Sequence, residues 1–197
     1  MEERIFFASD NLRIEGMLET ASPTRGAVIT HPHPLYGGDM DNPVVIAVRQ
    51  AYRRQGISTL RFNFRGVGAS EGCYDNGAGE RRDVSAALAL LSGRGVTTLD
   101  LAGYSFGAWV NAGTGGSFKR MVMVSPPVAF MSFDPAAPIP TLQLIVTGGR
   151  DEIAPPRMIS TYRDHWNPGA AFEVLPDADH FYTGHFKALE DTIASCV

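Results

Sequence analysis

Short apolar runs alternate with helix-period stretches along this chain, which marks an α/β fold with a largely parallel sheet. Residues 3–8 and 12–19, separated by Ser9-Asp10-Asn11, predict an antiparallel hairpin at a sheet edge. Residues 26–30 predict a buried strand that ends in a loop rich in Pro, His and Gly, residues 31–41. A helix follows. Asn42 can cap it, Pro43 suits its first position, and Val44, Ala47, Val48, Ala51 and Tyr52 share one face before Gly56 ends it. Residues 57–64 predict the next strand, 65–79 a Gly-rich loop, and 80–91 a helix with Val84, Ala87, Leu88 and Leu91 inward. The runs at 98–102, 121–124, 142–147 and 172–175 predict further strands. Helices are predicted at 154–165 and 184–194, and residues 125–140 carry no clear period. The pattern amounts to about eight strands, the first hairpin antiparallel and the rest joined by right-handed helical crossovers.

Gly103-Tyr104-Ser105-Phe106-Gly107 lies between one such strand and a helix. A G-x-S-x-G in that setting reads as a nucleophile elbow, with Ser105 lifted clear of the sheet at a helix N-terminus. The two glycines supply the freedom and small cross-section that a tight turn needs. A serine hydroxyl needs a base, and the base needs a group to orient it. With an elbow of this kind the chain order is Ser, then Asp or Glu, then His. Asp151 stands just beyond the strand at 142–147, where functional groups of parallel sheets gather, with Glu152 ranked second. His180 follows the last strand, whereas His165 and His185 sit at helix ends, where surface or capping roles suit them better. An oxyanion hole needs two backbone N–H groups. Phe106 should give one, and the loop at 31–38 the other. Pro32 and Pro34 have no N–H, which leaves His33, Leu35 and Tyr36, with Leu35 preferred and His33 second. Phe130, Met131 and Phe133 are candidates to wall an acyl pocket, and Tyr36 and Tyr104 complete the candidate substrate contacts.

Two other motifs weaken on inspection. His31-x-His33 suggests a metal pair, but no third nitrogen or sulfur ligand lies nearby, so no metal and no other cofactor is expected. Gly66-Val67-Gly68 suggests a dinucleotide fingerprint, but Glu71 occupies the place of the third glycine and a loop follows, not a helix. Residues 63–70 read instead as a rigid loop flanking the site.

The chain has 197 residues, which suits one domain, and 44% apolar with 19% charged residues mark an ordinary globular protein. A net charge of -4 without a Lys/Arg cluster gives no reason to expect a nucleic-acid or membrane partner. Cys73 and Cys196 are too few for a disulfide framework, which fits a reduced cytoplasmic setting and a monomer or homodimer. The first residues lack a signal peptide's basic and apolar regions, and no apolar run approaches the ~18 residues of a membrane span.

Five segments carry a resemblance: HPHPLYGGDMDN, NFRGVGASEG, GYSFGA, VTGGRDEIAPP and DADHF. Together they resemble, in order and over nearly the whole chain, the small lidless bacterial α/β-hydrolases related to dienelactone hydrolases and short-chain carboxylesterases. The resemblance implies a Ser105, Asp151, His180 triad and hydrolysis of an ester or thioester through an acyl-enzyme. It departs from dienelactone hydrolases proper, whose nucleophile is a cysteine. Residues 125–140 are too few for a cap domain. The competing readings are a binding protein that kept the fold without turnover, and a metal-dependent hydrolase built on His31 and His33.

Overall fold

A computed structural model describes residues 1–134 and 137–197; Pro135 and Ala136, inside the aperiodic stretch, lie outside the described residues. The strands are β1 (Glu2–Ser9), β2 (Leu12–Glu19), β3 (Arg25–Thr30), β4 (Ser58–Phe62), β5 (Thr98–Tyr104), β6 (Arg120–Val124), β7 (Leu142–Gly148) and β8 (Ala171–Leu175). The helices are α1 (Pro43–Arg54), α2 (Ala78–Gly93), α3 (Phe106–Ala112), α4 (Pro156–Trp166) and α5 (Phe186–Ala194). All eight strands form one sheet in the order β1-β2-β4-β3-β5-β6-β7-β8. Strand β2 runs antiparallel to both β1 and β4, and the other pairings are parallel. Among the described residues no helix is long and apolar enough to cross a membrane.

Period-two burial divides the core into two layers. Leu101, Met121 and Met123 face one layer with Val84, Leu91 and Ile159 from α2 and α4. Ala102, Val122 and Val124 face the other with Val48, Tyr52 and Leu189 from α1 and α5. Helix α1 starts as its sequence dictates: the Asn42 side chain accepts the Val44 N–H at 3.0 Å, with Pro43 in the first turn. Two joins depart from the expected helical crossovers and carry no helix among the described residues: β2 to β3, and β6 to β7, where the aperiodic stretch is a loop and Pro126, Pro127, Pro138 and Pro140 interrupt any helical ladder.

The chain leaves β3 in one direction to reach β4, while β5 pairs on its other side. That reversal opens a crevice at the carboxyl ends of β3 and β5, where parallel sheets place ligands. The loop after β3 and the turn after β5 both end there.

Candidate active site

Ser105 occupies the turn between β5 and α3 with φ 52° and ψ -118°. A non-glycine residue in that conformation costs of order 1–3 kcal/mol and persists only where its surroundings hold it. Here the Ser105 N–H donates to the Val124 carbonyl at 2.9 Å, and its own carbonyl accepts the N–H groups of Ala108 and Trp109. The strained backbone therefore belongs to the serine, whereas Gly103 and Gly107 are not at positive φ. Gly107 is required for closeness: a Cβ there would lie 2.7 Å from the Thr30 carbonyl oxygen and 2.8 Å from that of His31.

The three side chains chosen from the sequence meet in a line. The Ser105 hydroxyl lies 3.0 Å from His180 Nε2, and His180 Nδ1 lies 2.8 Å from Asp151 Oδ2. All three residues are buried. Asp151 Oδ1 also accepts the N–H groups of Ile153 at 2.9 Å and Ala154 at 2.7 Å. Burial alone would raise the Asp151 pKa. The His180 contact, the Ser125 hydroxyl and the Ala154 N–H outweigh it and hold the carboxyl below its ordinary value. The paired glycines of VTGGRD bring acid and base together. A Cβ on Gly148 would stand 2.3 Å from the Ala178 carbonyl oxygen, so only glycine lets the end of β7 lie against the His180 loop. There the Arg150 N–H donates to Ala178 O at 2.9 Å. Among the described residues Glu152, the second choice for the acid, makes no hydrogen bond or ion pair with the His180 ring.

Behind this line lies a set of residues that the sequence reading missed. Ser125 Oγ and the Tyr182 hydroxyl are 2.8 Å apart, both residues are fully buried, and both hold positive φ. The Tyr104 hydroxyl donates to the His180 carbonyl at 2.9 Å. Tyr104 is therefore a support for His180 as well as part of the cleft wall beside Ser105, with only 2% of its surface exposed. Ser125 could have been noticed as the polar residue ending the run Met121–Val124, at the carboxyl end of a parallel strand.

The loop after β3 is pinned at both ends by the end of β4. His31 Nε2 accepts the Phe64 N–H at 2.9 Å while Nδ1 donates to the Pro32 carbonyl at 2.7 Å. Asn63 Oδ1 accepts the Met40 N–H at 2.9 Å. His31 is fully buried and neutral, its pKa pushed down by burial to about 4. Both of its nitrogens are thus committed to backbone groups, and His31 and His33 do not form a ligand pair. Among the described residues no three His, Cys, Asp or Glu side chains gather as a metal-holding group.

A 3₁₀ turn, Pro34–Tyr36, decides the second candidate oxyanion donor. The Leu35 N–H donates to His33 Nδ1 at 3.2 Å and the Tyr36 N–H to the His33 carbonyl at 3.1 Å. Leu35, preferred from the sequence, is spent. The His33 N–H makes no hydrogen bond among the described residues, so the second choice is the one left to donate. Phe106 and Gly107, in the first turn of α3, have no intrahelical partner for their N–H groups.

Two clefts meet at Ser105. One, of about 280 Å³, is lined by His33, Tyr36, Asn42, Tyr104, His180 and Phe181 among others. The other, of about 450 Å³, is lined by His33, Tyr36, Phe106, Pro127, Phe130, Met131 and Ile153. Tyr36, Phe130 and Phe181 stand exposed at their rims. Phe133, proposed for the acyl wall, packs instead on Trp166 and Tyr162 at 4.9 Å and 6.0 Å between ring centres.

No family model matches the chain. A Rickettsia prowazekii protein, the uncharacterised RP471, is 33% identical over 209 residues, spanning 95% of this chain and 87% of that protein. An α/β serine hydrolase homologue from Coxiella burnetii superposes with a TM-score of 0.90 at 32% identity, over 98% of this chain and 96% of its own. The Xanthomonas campestris protein XC6422, described as an α/β serine hydrolase without a lid, gives 0.89 at 27% identity, over 98% and 92%. An elbow serine at the sheet switch point, the shared eight-stranded architecture and an identity of 32% along almost the full length converge: the chain belongs to the α/β serine hydrolase homologues.

Proposed function

We propose that this protein hydrolyses small or medium carboxylic esters or thioesters through an acyl-enzyme. The observation that carries the reading is the hydrogen-bonded line from Ser105 through His180 to Asp151, built on a strained elbow. Ser105 Oγ forms a bond to the acyl carbon as His180 Nε2 takes its proton. Developing charge on the carbonyl oxygen is received by the N–H groups of Phe106 and His33. His180 then passes its proton to the leaving oxygen or sulfur, and that bond to carbon breaks. Water repeats the sequence. Its oxygen bonds to the acyl carbon, the Oγ–C bond breaks, the acid is released and Ser105 regains its proton. Asp151 keeps Nδ1 protonated and balances the charge that His180 gains. No step calls on a metal or cofactor. Kinship to dienelactone hydrolases rests on the five sequence segments, with serine in place of their cysteine.

A fluorophosphonate probe tests the reading together with a panel of p-nitrophenyl esters. Expected are labelling at Ser105 and hydrolysis of the shorter esters. An unlabelled Ser105 in a protein that turns over no ester would overturn it in favour of a binding role.

A further inference from the structure

We infer that the two clefts divide the ester between them. A neutral, apolar acyl group enters the cleft walled by Phe106, Pro127, Phe130 and Met131, and the alcohol or thiol departs through the cleft walled by Asn42, His180 and Phe181. This rests on the serine-hydrolase reading and adds the orientation and class of the substrate.

The direction follows from where the proton must go. A general acid acts within hydrogen-bond reach, so the leaving atom must sit beside His180 Nε2. His180 lines the smaller cleft and not the larger. The carbonyl oxygen is claimed by the N–H groups at Phe106 and His33. Of the substituents on the tetrahedral carbon, one bonds Ser105, one points to those donors and one to His180. The fourth, the acyl chain, is left the cleft on the Phe106 side.

The linings give the chemistry. No Asp, Glu, Lys or Arg faces the larger cleft. Its imidazole, His33, has its pKa lowered by burial, and its Nδ1 already accepts the Leu35 N–H. A carboxylate or ammonium on the acyl chain would lose water there without gaining a charged partner. The cleft's volume of about 450 Å³ sits low in the usual range for small-molecule sites, so an aryl or medium alkyl acyl group fits. The leaving-group cleft is smaller and is lined by the polar side chains of Asn42 and Tyr104 beside His180. Asn42 Oδ1 is occupied by the Val44 N–H, so its amide NH₂ remains to meet an oxygen on the departing alcohol.

Two ester series separate these assignments: acyl chains of graded length on one alcohol, and graded alcohols on a fixed butyryl group. Met131→Trp should lower kcat/KM for the longer acyl chains relative to acetyl by about tenfold or more, the scale set by one or two methylenes of pocket volume. It should also change the rate at which a preformed acyl-enzyme hydrolyses. Phe130→Ala, at an exposed rim position, is the variant least able to disturb folding and should extend the accepted chain length. Phe181→Ala should move the alcohol profile and the acylation rate. Acyl-cleft variants that shift the alcohol profile and leave the acyl profile in place would overturn the assignment while leaving Ser105 chemistry intact. Failure of a fluorophosphonate to label Ser105 in an unmodified protein that turns over no ester would instead remove the serine-hydrolase reading, and this inference with it.

Discussion

Ser105 carries the turn's strain in its own backbone, and its hydroxyl has one side-chain partner, His180. Ser105→Ala leaves a Cβ at the same positive φ and should abolish turnover, by on the order of 10⁶ in kcat. Asp151→Asn keeps an oxygen for the Ile153 and Ala154 N–H groups but presents an amide where Nδ1–H must donate. The wrong tautomer of His180 should then cost about 10⁴ in kcat with little loss of stability, measured by ester hydrolysis beside a denaturant curve. His31 makes a different prediction. Burial pushes its pKa from 6.5 down to about 4, so between those values the unfolded chain holds a proton that the folded chain refuses. Stability contributed by neutral His31 is complete above about pH 6.5 and is lost as pH falls towards 4, by roughly 3 kcal/mol. Urea midpoints across that range should fall with acid in the unmodified protein and fall less steeply in His31→Gln; equal slopes would show that His31 is not the titrating group. At this scale the three side chains in line were legible, because strand ends, chain order and residue chemistry select them. Tyr182 was not, and Ser125 showed only as a polar residue at a strand end, because nothing in a residue's type announces positive φ in a serine or tyrosine.

At the scale of elements, the glycine-bearing motifs let backbones touch. Gly107 seats α3 against the end of β3, and Gly148 seats the β7 turn against the His180 loop. Gly107→Ala would drive a methyl into the carbonyls of Thr30 and His31, which are backbone and cannot rotate away. Overpacking of that kind typically costs about 1–3 kcal/mol. Because it also pushes on the loop that holds His33, activity should fall more than the fraction unfolded explains; unchanged kcat/KM in the folded protein would contradict this. Periodicity placed the strands and α1 well, since alternation and capping chemistry are local. The sequence could not show that one 3₁₀ turn directs the Leu35 N–H, the preferred candidate donor, onto the His33 ring. Phe133 was misplaced because an apolar residue in an aperiodic stretch carries no signal of which neighbour it meets. Its partners, Tyr162 and Trp166, lie on α4, far along the chain.

Across the whole molecule, one twisted sheet brings the ends of β3, β5, β7 and β8 to a shared edge, and what stands over that edge is short. The segment from Pro126 to Pro140 contributes Pro127, Phe130 and Met131 to the larger cleft and has no cap domain's length. With nothing of that size to open, rates should fall as p-nitrophenyl esters lengthen beyond the medium range. No jump should mark the substrate's critical micelle concentration; a clear preference for emulsified long-chain esters would contradict a site this shallow. The antiparallel edge hairpin and the loop between β6 and β7 follow from patterns visible in the sequence, whereas the strand order and the antiparallel pairing of β2 with β4 are set by long-range contacts that no local pattern displays. The most direct measurement is acid-quenched rapid mixing of the protein with p-nitrophenyl butyrate, followed by peptide mass spectrometry. The expected result is a burst of p-nitrophenol matched by a butyryl adduct on the Ser105 peptide, absent in Ser105→Ala. Turnover retained in Ser105→Ala, or the adduct on another residue, would contradict Ser105 as the nucleophile.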